Sequence, residues 1–182
     1  MKRCVTNKPS HRRQSLVLRL SVCVIVSLCS GACSNDTGSA RFIYFNRLDS
    51  IDGILTRTGV TLETERSNRG IRIDADGPRT IRLVEVRPRA AEGVELIYRG
   101  HLRTRSLTGR AYFEMRCGVA GKAEHSAKGL KQAVTGTTDW VRQATPLVLE
   151  REERCDIVKL NVIVEGSGVV WVGNIALAQV TR

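Results

Sequence analysis

The strongest constraint on this chain is a two-residue period in its apolar side chains. In 110–117 (RAYFEMRC), Ala111, Phe113, Met115 and Cys117 share one parity, and Tyr112, Glu114 and Arg116 the other. In 94–105, Val94, Leu96, Tyr98 and Leu102 stand opposite Glu95, Arg99, His101 and Arg103, with Ile97 on the polar side. In 157–165, Val158, Leu160, Val162 and Val164 stand opposite Lys159, Asn161 and Glu165, which share their side with Ile157 and Ile163. Successive side chains of a strand point to opposite faces, so each of these segments predicts a strand with one core face. Shorter runs at 41–45, 60–65, 70–74, 79–87, 145–149 and 168–178 add further strands. Turn signals lie between them: Asp52-Gly53, Asn68-Arg69-Gly70, Asp76-Gly77-Pro78, Glu92-Gly93 and Glu165-Gly166-Ser167-Gly168. Many short strands at this spacing predict an all-β sandwich or barrel whose second faces meet water. The best helical candidate is 126–134 (SAKGLKQAV), weakened by Gly129.

The chain before residue 41 is of a different kind. Residues 1–32 hold Lys2, Arg3, Lys8, Arg12, Arg13 and Arg19 and no acid, followed by an apolar run at 20–28 (LSVCVIVSL). That run falls short of the roughly 20 residues a membrane-spanning helix needs. A basic start, a short apolar middle and small residues after it form the layout of an export signal. Ser30-Gly31-Ala32-Cys33 resembles the lipobox of bacterial lipoproteins, whose cysteine takes the lipid and becomes the new N-terminus. Ser30 stands where that family prefers Leu. The same small residues suit ordinary signal peptidase, so secretion to the periplasm or medium is the alternative to a lipid anchor at Cys33 in the cell envelope. Residues 34–40 (SNDTGSA) have the composition of a tether. The expected organisation is a signal peptide at 1–32, an anchor and tether at 33–40, and a β-sandwich at 41–182.

This division changes the charge argument. The whole chain has 29 Lys+Arg against 18 Asp+Glu, a net charge of +11 that invites a nucleic-acid partner. Six of the basic residues belong to the signal, so the 150 residues from Cys33 onward carry 23 against 18, or +5. That value is ordinary for a small domain, and no nucleic-acid partner is expected. The remaining basic residues do cluster: Arg99, Arg103, Arg105 and Arg110 flank one hairpin. Such a patch suits acidic glycans or anionic lipid head groups, or guards a sheet edge against aggregation.

Cysteine usage changes likewise. Cys4, Cys23 and Cys29 leave with the signal, and Cys117 and Cys155 remain in the domain, either as one disulfide or as two buried thiols. There is no Cys-x-x-Cys or His-rich spacing, so no metal and no cofactor is expected. Glu114 and Glu165 are both outward by parity, but no nucleophile elbow or phosphate loop accompanies them, and no catalytic residue is assigned.

The second half carries a family resemblance. The segments 136–140 (GTTDW), 145–147 (TPL), 158–168 (VKLNVIVEGSG) and 170–172 (VWV), preceded by 109–117 (GRAYFEMRC) and 70–74 (GIRID), resemble the galactose-binding-like jelly rolls. These include carbohydrate-binding modules associated with cellulases. The resemblance implies a ring at Trp140 over one end of the sandwich and a tight hairpin at Gly166 and Gly168. Gly173-Asn174 replace the family's paired acids, one of which joins a structural calcium site in relatives, so no calcium is expected. Sugar-binding relatives stack sugar rings on exposed aromatic side chains. Of the aromatic residues here, Phe42, Phe45, Phe113 and Trp171 read as core, and Tyr44 and Tyr98 are ambiguous. Tyr112 and Trp140 are the stacking candidates, with Glu114, Arg116, Arg99, His101 and Asn161 as hydrogen-bonding neighbours. The resulting expectation is an exported, lipid-anchored, non-catalytic envelope protein that binds carbohydrate. The alternative is a structural or protein-interaction lipoprotein without sugar affinity.

Overall fold

The structure, a computed structural model, describes residues 40–65, 69–89, 91–119 and 123–181. The segment expected to be a signal peptide, Cys33 and residues 34–39 of the expected tether lie outside the described residues. The strands are β1 (Ala40–Asn46), β2 (Val60–Glu63), β3 (Gly70–Ala75), β4 (Arg79–Val86), β5 (Val94–Val119), β6 (His125–Lys128), β7 (Val134–Val148), β8 (Cys155–Glu165) and β9 (Gly168–Thr181). All named pairings are antiparallel. The fold is a jelly-roll β-sandwich.

Two of the expected strands, 94–105 and 110–117, are one 26-residue strand, β5. Its first half lies between β9 and β7. Its second half lies between β8 and β6. One chain segment therefore passes from one layer to the other. The first layer runs β2-β3-β9-β5-β7, with β1 joining β9 beyond the end of β3. The second runs β4-β8-β5-β6. Between the layers lie the side chains that the two-residue period assigned inward: Leu96, Tyr98, Leu102, Phe113, Met115, Leu160 and Val162 are fully buried. Tyr98 packs its ring 4.5 Å from that of Phe113, and burial pushes its phenol well above the usual range. Cys117 and Cys155 form a disulfide, Cα to Cα 5.6 Å, joining the end of β5 to the start of β8.

The corner of β5 explains why turn residues sit inside a strand. Ser106 adopts a left-handed φ of 52°, and the register with β7 shifts three times between Leu102 and Arg110. Gly109 presses its Cα against the Glu165 carbonyl so closely that any Cβ would overlap that oxygen. Thr108 and Ser167 close the corner with three hydrogen bonds, Thr108 N–H to Ser167 O at 2.9 Å, Ser167 N–H to Thr108 Oγ1 at 3.0 Å and Thr108 Oγ1–H to Ser167 O at 3.3 Å.

The helical candidate 126–134 is overturned. Its residues form the end of β6, a single 3-10 turn (Leu130–Gln132) and the start of β7. The Gly129 N–H donates to the Phe113 carbonyl at 2.8 Å, pulling the segment onto β5 where tertiary pairing outweighs weak helical preference.

Candidate functional site

The outward sides of the two layers hold all seven expected ligand-binding residues, but on opposite faces of the sandwich. Tyr112, Glu114, Arg116 and Asn161 come together on the outer face of the second layer. Arg99, His101 and Trp140 lie on the outer face of the first.

On the second layer, cross-strand register builds a groove of about 400 Å³. Arg82 of β4 faces Asn161 of β8, which faces Glu114 of β5, which faces Lys128 of β6. The Asn161 amide donates to Glu114 at 3.1 Å, and both side chains are largely buried. Tyr112 is an outward residue by parity, yet only 2% exposed. Its hydroxyl donates to Glu165 at 2.8 Å, and Arg110 binds the same carboxylate while lying 5.9 Å from the Tyr112 ring. Burial first, and then the bond to Glu165, pushes the Tyr112 phenol up to about 12. Arg110, and next the Tyr112 hydroxyl, holds Glu165 below the usual carboxylate range. A carboxylate held ionised in this way cannot serve as a general acid near neutral pH. Glu124 takes both Arg116 and Lys159. The groove's carboxylates are thus partnered from within it, although the buried Asn161 Oδ1 accepts no hydrogen bond among the described residues, and the Tyr112 ring offers no platform for a sugar.

The first layer presents the aromatic surface instead, and it comes from residues the sequence placed in the core. Phe42 is 59% exposed and Phe45 57%. The cause is a bulge in β1. Phe42 faces Ala178, Tyr44 faces Leu177 and Phe45 faces Ala176, so Ile43 is the inserted residue. Ile43 and Tyr44 pack on the core, and the bulge brings Phe42 and Phe45, three positions apart, to the same outer side. A strict two-residue period would have separated them.

A cavity of about 360 Å³ lies beside the two phenyl rings, lined also by Arg99, His101, Arg142, Asn174 and Ala176. A second irregularity shapes it. Arg99 faces Ala176 and His101 faces Gly173, so β9 carries one residue more than β5 there. Asn174 takes up the difference at a left-handed φ of 50°, a conformation that Asn tolerates better than most residues. Opposite, on β7, Arg142 faces His101 and Ala144 faces Arg99. Small residues at 144 and 176 leave the floor open between the charged side chains.

The remaining aromatic residues also depart from expectation. Trp140 is not on a turn at one end of the sandwich. It lies within β7, half-buried, with its indole over Gly173. Trp171 is only 3% exposed, but it belongs to the outer side of the first layer and not to the core. It faces Arg72 on β3 and Arg103 on β5, and the guanidinium carbons of Arg72, Arg103 and Arg105 lie 5.8, 5.3 and 5.4 Å from its ring. Phe42, Phe45, Arg142 and Asn174 were absent from the sequence-based set. The signal for the two phenylalanines is the consecutive apolar run FIYF, which fits no simple alternation.

No protein-family profile matches the sequence, and no curated protein matches it. Among solved structures, the chain is similar to the CBM22-1 xylan-binding domain from Paenibacillus barcinonensis Xyn10C, with a TM-score of 0.58 and 10% identity over 80% of this chain and 98% of that one. Looser likenesses are to the CBM6cm-2 module from Cellvibrio mixtus lichenase 5A in complex with cellotriose (TM-score 0.46, 11% identity, 75% and 97% covered) and to TmCBM61 in complex with β-1,4-galactotriose (TM-score 0.42, 14% identity, 78% and 88% covered). The first of these likenesses is one of fold: this chain has the jelly-roll sandwich seen in a carbohydrate-binding module.

Proposed function

We propose that this chain is an exported, non-catalytic carbohydrate-binding protein, anchored to the cell envelope through lipid on Cys33. One observation carries the binding part: two exposed phenyl rings, Phe42 and Phe45, stand beside a cavity furnished with Arg99, His101, Arg142 and Asn174. A sugar presents an apolar face and a rim of hydroxyls. It needs a ring to lie on and polar groups beside that ring, which is the arrangement here. The fold shared with a xylan-binding domain supports the reading at the level of architecture. The export and anchor parts rest on the acid-free basic run, the short apolar segment and Ser30-Gly31-Ala32-Cys33.

The test of binding is retention on a panel of immobilised neutral and acidic polysaccharides. The wild type is expected to be retained, and Phe42→Ala with Phe45→Ala to elute with the void while keeping its melting temperature. Tyr112→Ala is expected to leave retention unchanged. Folded protein that ignores every glycan points to a structural or protein-interaction role for the phenyl pair. The anchor is checked by mass spectrometry of the mature N-terminus, where a diacylglyceryl-modified Cys33 is expected and an unmodified start refutes it.

A further inference from the structure

We propose that the polysaccharide held on this face is an acidic one, gripped along β5 by a row of basic side chains. The inference rests on the reading of the face as a carbohydrate site and specifies its ligand class. Every ionisable side chain lining the cavity beside Phe42 and Phe45 is basic: Arg99, His101 and Arg142. The row continues beyond the cavity. Arg99, His101, Arg103 and Arg105 occupy every second position of β5, so they project from one face at intervals of roughly 7 Å, spanning roughly 20 Å in all. Arg103 and Arg105, with Arg72 from β3, lie against the Trp171 ring, which limits the freedom of their guanidinium groups.

Charge pairing separates this face from its opposite. The second layer's Arg110, Arg116 and Lys159 each bind a glutamate, and its Arg82 and Lys128, without an ion pair among the described residues, share their groove with Glu114 and Glu165. Among the described residues, Arg99, Arg105 and Arg142 make no ion pair. The acids on the first layer stand at its margins or at the end of the row: Glu95 lies on the same side of β5 four positions before Arg99, Glu63 is on the edge strand β2, Asp74 is taken by Arg72 at 2.7 Å, and Asp139, almost wholly in solvent, lies 3.9 Å from Arg103. Like charges in a row on one sheet repel, and a polyanion along the row removes that repulsion. Two ring nitrogens on this face, His101 Nδ1 and Trp171 Nε1, are buried without a hydrogen-bond partner among the described residues. An oxygen-rich ligand can partner them once the flexible arginine side chains above move aside. A phosphate-bearing membrane surface would match the charge and could take up the phenyl pair, but it would leave the cavity beside the rings unfilled. The combination of stacking rings and spaced cations fits a chain of acidic sugars.

The experiment compares matched polymers by affinity electrophoresis or calorimetry with the full chain: polygalacturonate against its methyl ester, and dextran sulfate against dextran. At least one acidic member is expected to bind tenfold or more tightly than its neutral partner, with affinity falling as salt rises. Arg99→Gln with Arg142→Gln is expected to weaken that binding roughly tenfold or more without moving the melting temperature. Arg116→Gln, on the opposite face, serves as the control and is expected to leave binding unchanged. Equal binding of acidic and neutral partners overturns the charge inference and leaves the carbohydrate reading standing. No binding to any of the polymers, or to the wider neutral and acidic panel, overturns both. Tighter binding of a single-stranded oligonucleotide than of either acidic polymer also overturns the inference, because rings plus cations would then be serving stacked bases.

Discussion

The two outer faces of the sandwich come from the same kind of strand and end up chemically opposite. On the second layer, the carboxylates of Glu114 and Glu165 are held by Asn161, Tyr112 and Arg110, the phenol of Tyr112 is covered, and only the Asn161 Oδ1 is buried without a partner among the described residues of that face. On the first, phenyl rings face solvent beside arginines without acids, and two ring nitrogens lack partners. Both sides obey the same alternation along β5, so alternation alone cannot tell a closed polar network from a surface open to a ligand. What distinguishes them is the residue directly across the strand. Opposite Arg110 stands Glu165, whereas opposite Arg99 stand Ala144 and Ala176.

If the closed side chiefly holds the fold together and the open side chiefly meets a ligand, substitutions should divide accordingly. The largest effect belongs to the disulfide at the end of the second layer. Closing a loop across 38 residues stabilises the fold by about 4 kcal/mol on chain-entropy grounds. Cys117→Ala with Cys155→Ala should lose that amount in urea unfolding, as should the wild type with reductant. A loss under 1 kcal/mol would remove the disulfide from the account of stability. Next is Asn161→Ala, which leaves the Glu114 carboxylate in place without its amide partner. The expected cost is about 1–3 kcal/mol, with no change in glycan retention. On the open side, Arg142→Gln should stay within about 0.5 kcal/mol of wild-type stability, because its side chain is exposed and makes no ion pair among the described residues. It should nonetheless weaken binding of an acidic polymer. An Arg142 variant that unfolds, or an Asn161 variant that abolishes binding while remaining folded, would reverse the assignment of roles.

The division also shows what the sequence could and could not carry. The inward set of β5 and β8 was legible because burial enforces a period of two with little tolerance: Phe113, Met115, Leu160 and Val162 could not be elsewhere. The groove residues were legible as a group because parity and register together bring Tyr112, Glu114 and Asn161 to one side. Their condition was not legible. Tyr112 is covered by Arg110 and Glu165, residues whose approach depends on β5 and β8 meeting at the corner near Gly109. The phenyl pair was misread because a bulge at Ile43 resets parity midway through a seven-residue strand, and nothing in the local composition announces a bulge. Trp171 was misread in a subtler way. It is buried, but under arginines of neighbouring strands, and long side chains covering an outward ring leave no local pattern.

The smallest expected effect is invisible at neutral pH and tests how closed the second face is. The Tyr112 phenol sits at about 12 in the fold, above its ordinary value near 10, chiefly because burial disfavours the phenolate and secondly because its hydroxyl donates to Glu165. A raised folded value means the neutral form is favoured in the native state. The associated stability is therefore fully present below about pH 10 and declines as pH rises towards about 12. Absorbance titration of tyrosinate, wild type minus Tyr112→Phe, should place this group at the upper end of that interval. In Glu165→Gln the same difference should move part of the way back, since burial remains while the charged acceptor is gone. Glu165 contributes at the other end of the scale. Its carboxyl is held below the usual range by Arg110 and then by Tyr112, so its stabilisation is present above that range and lost as pH falls through the folded value. A Tyr112 that titrates near 10 would mean that water reaches its ring, and the groove would then be as open to a ligand as the face that carries Phe42 and Phe45.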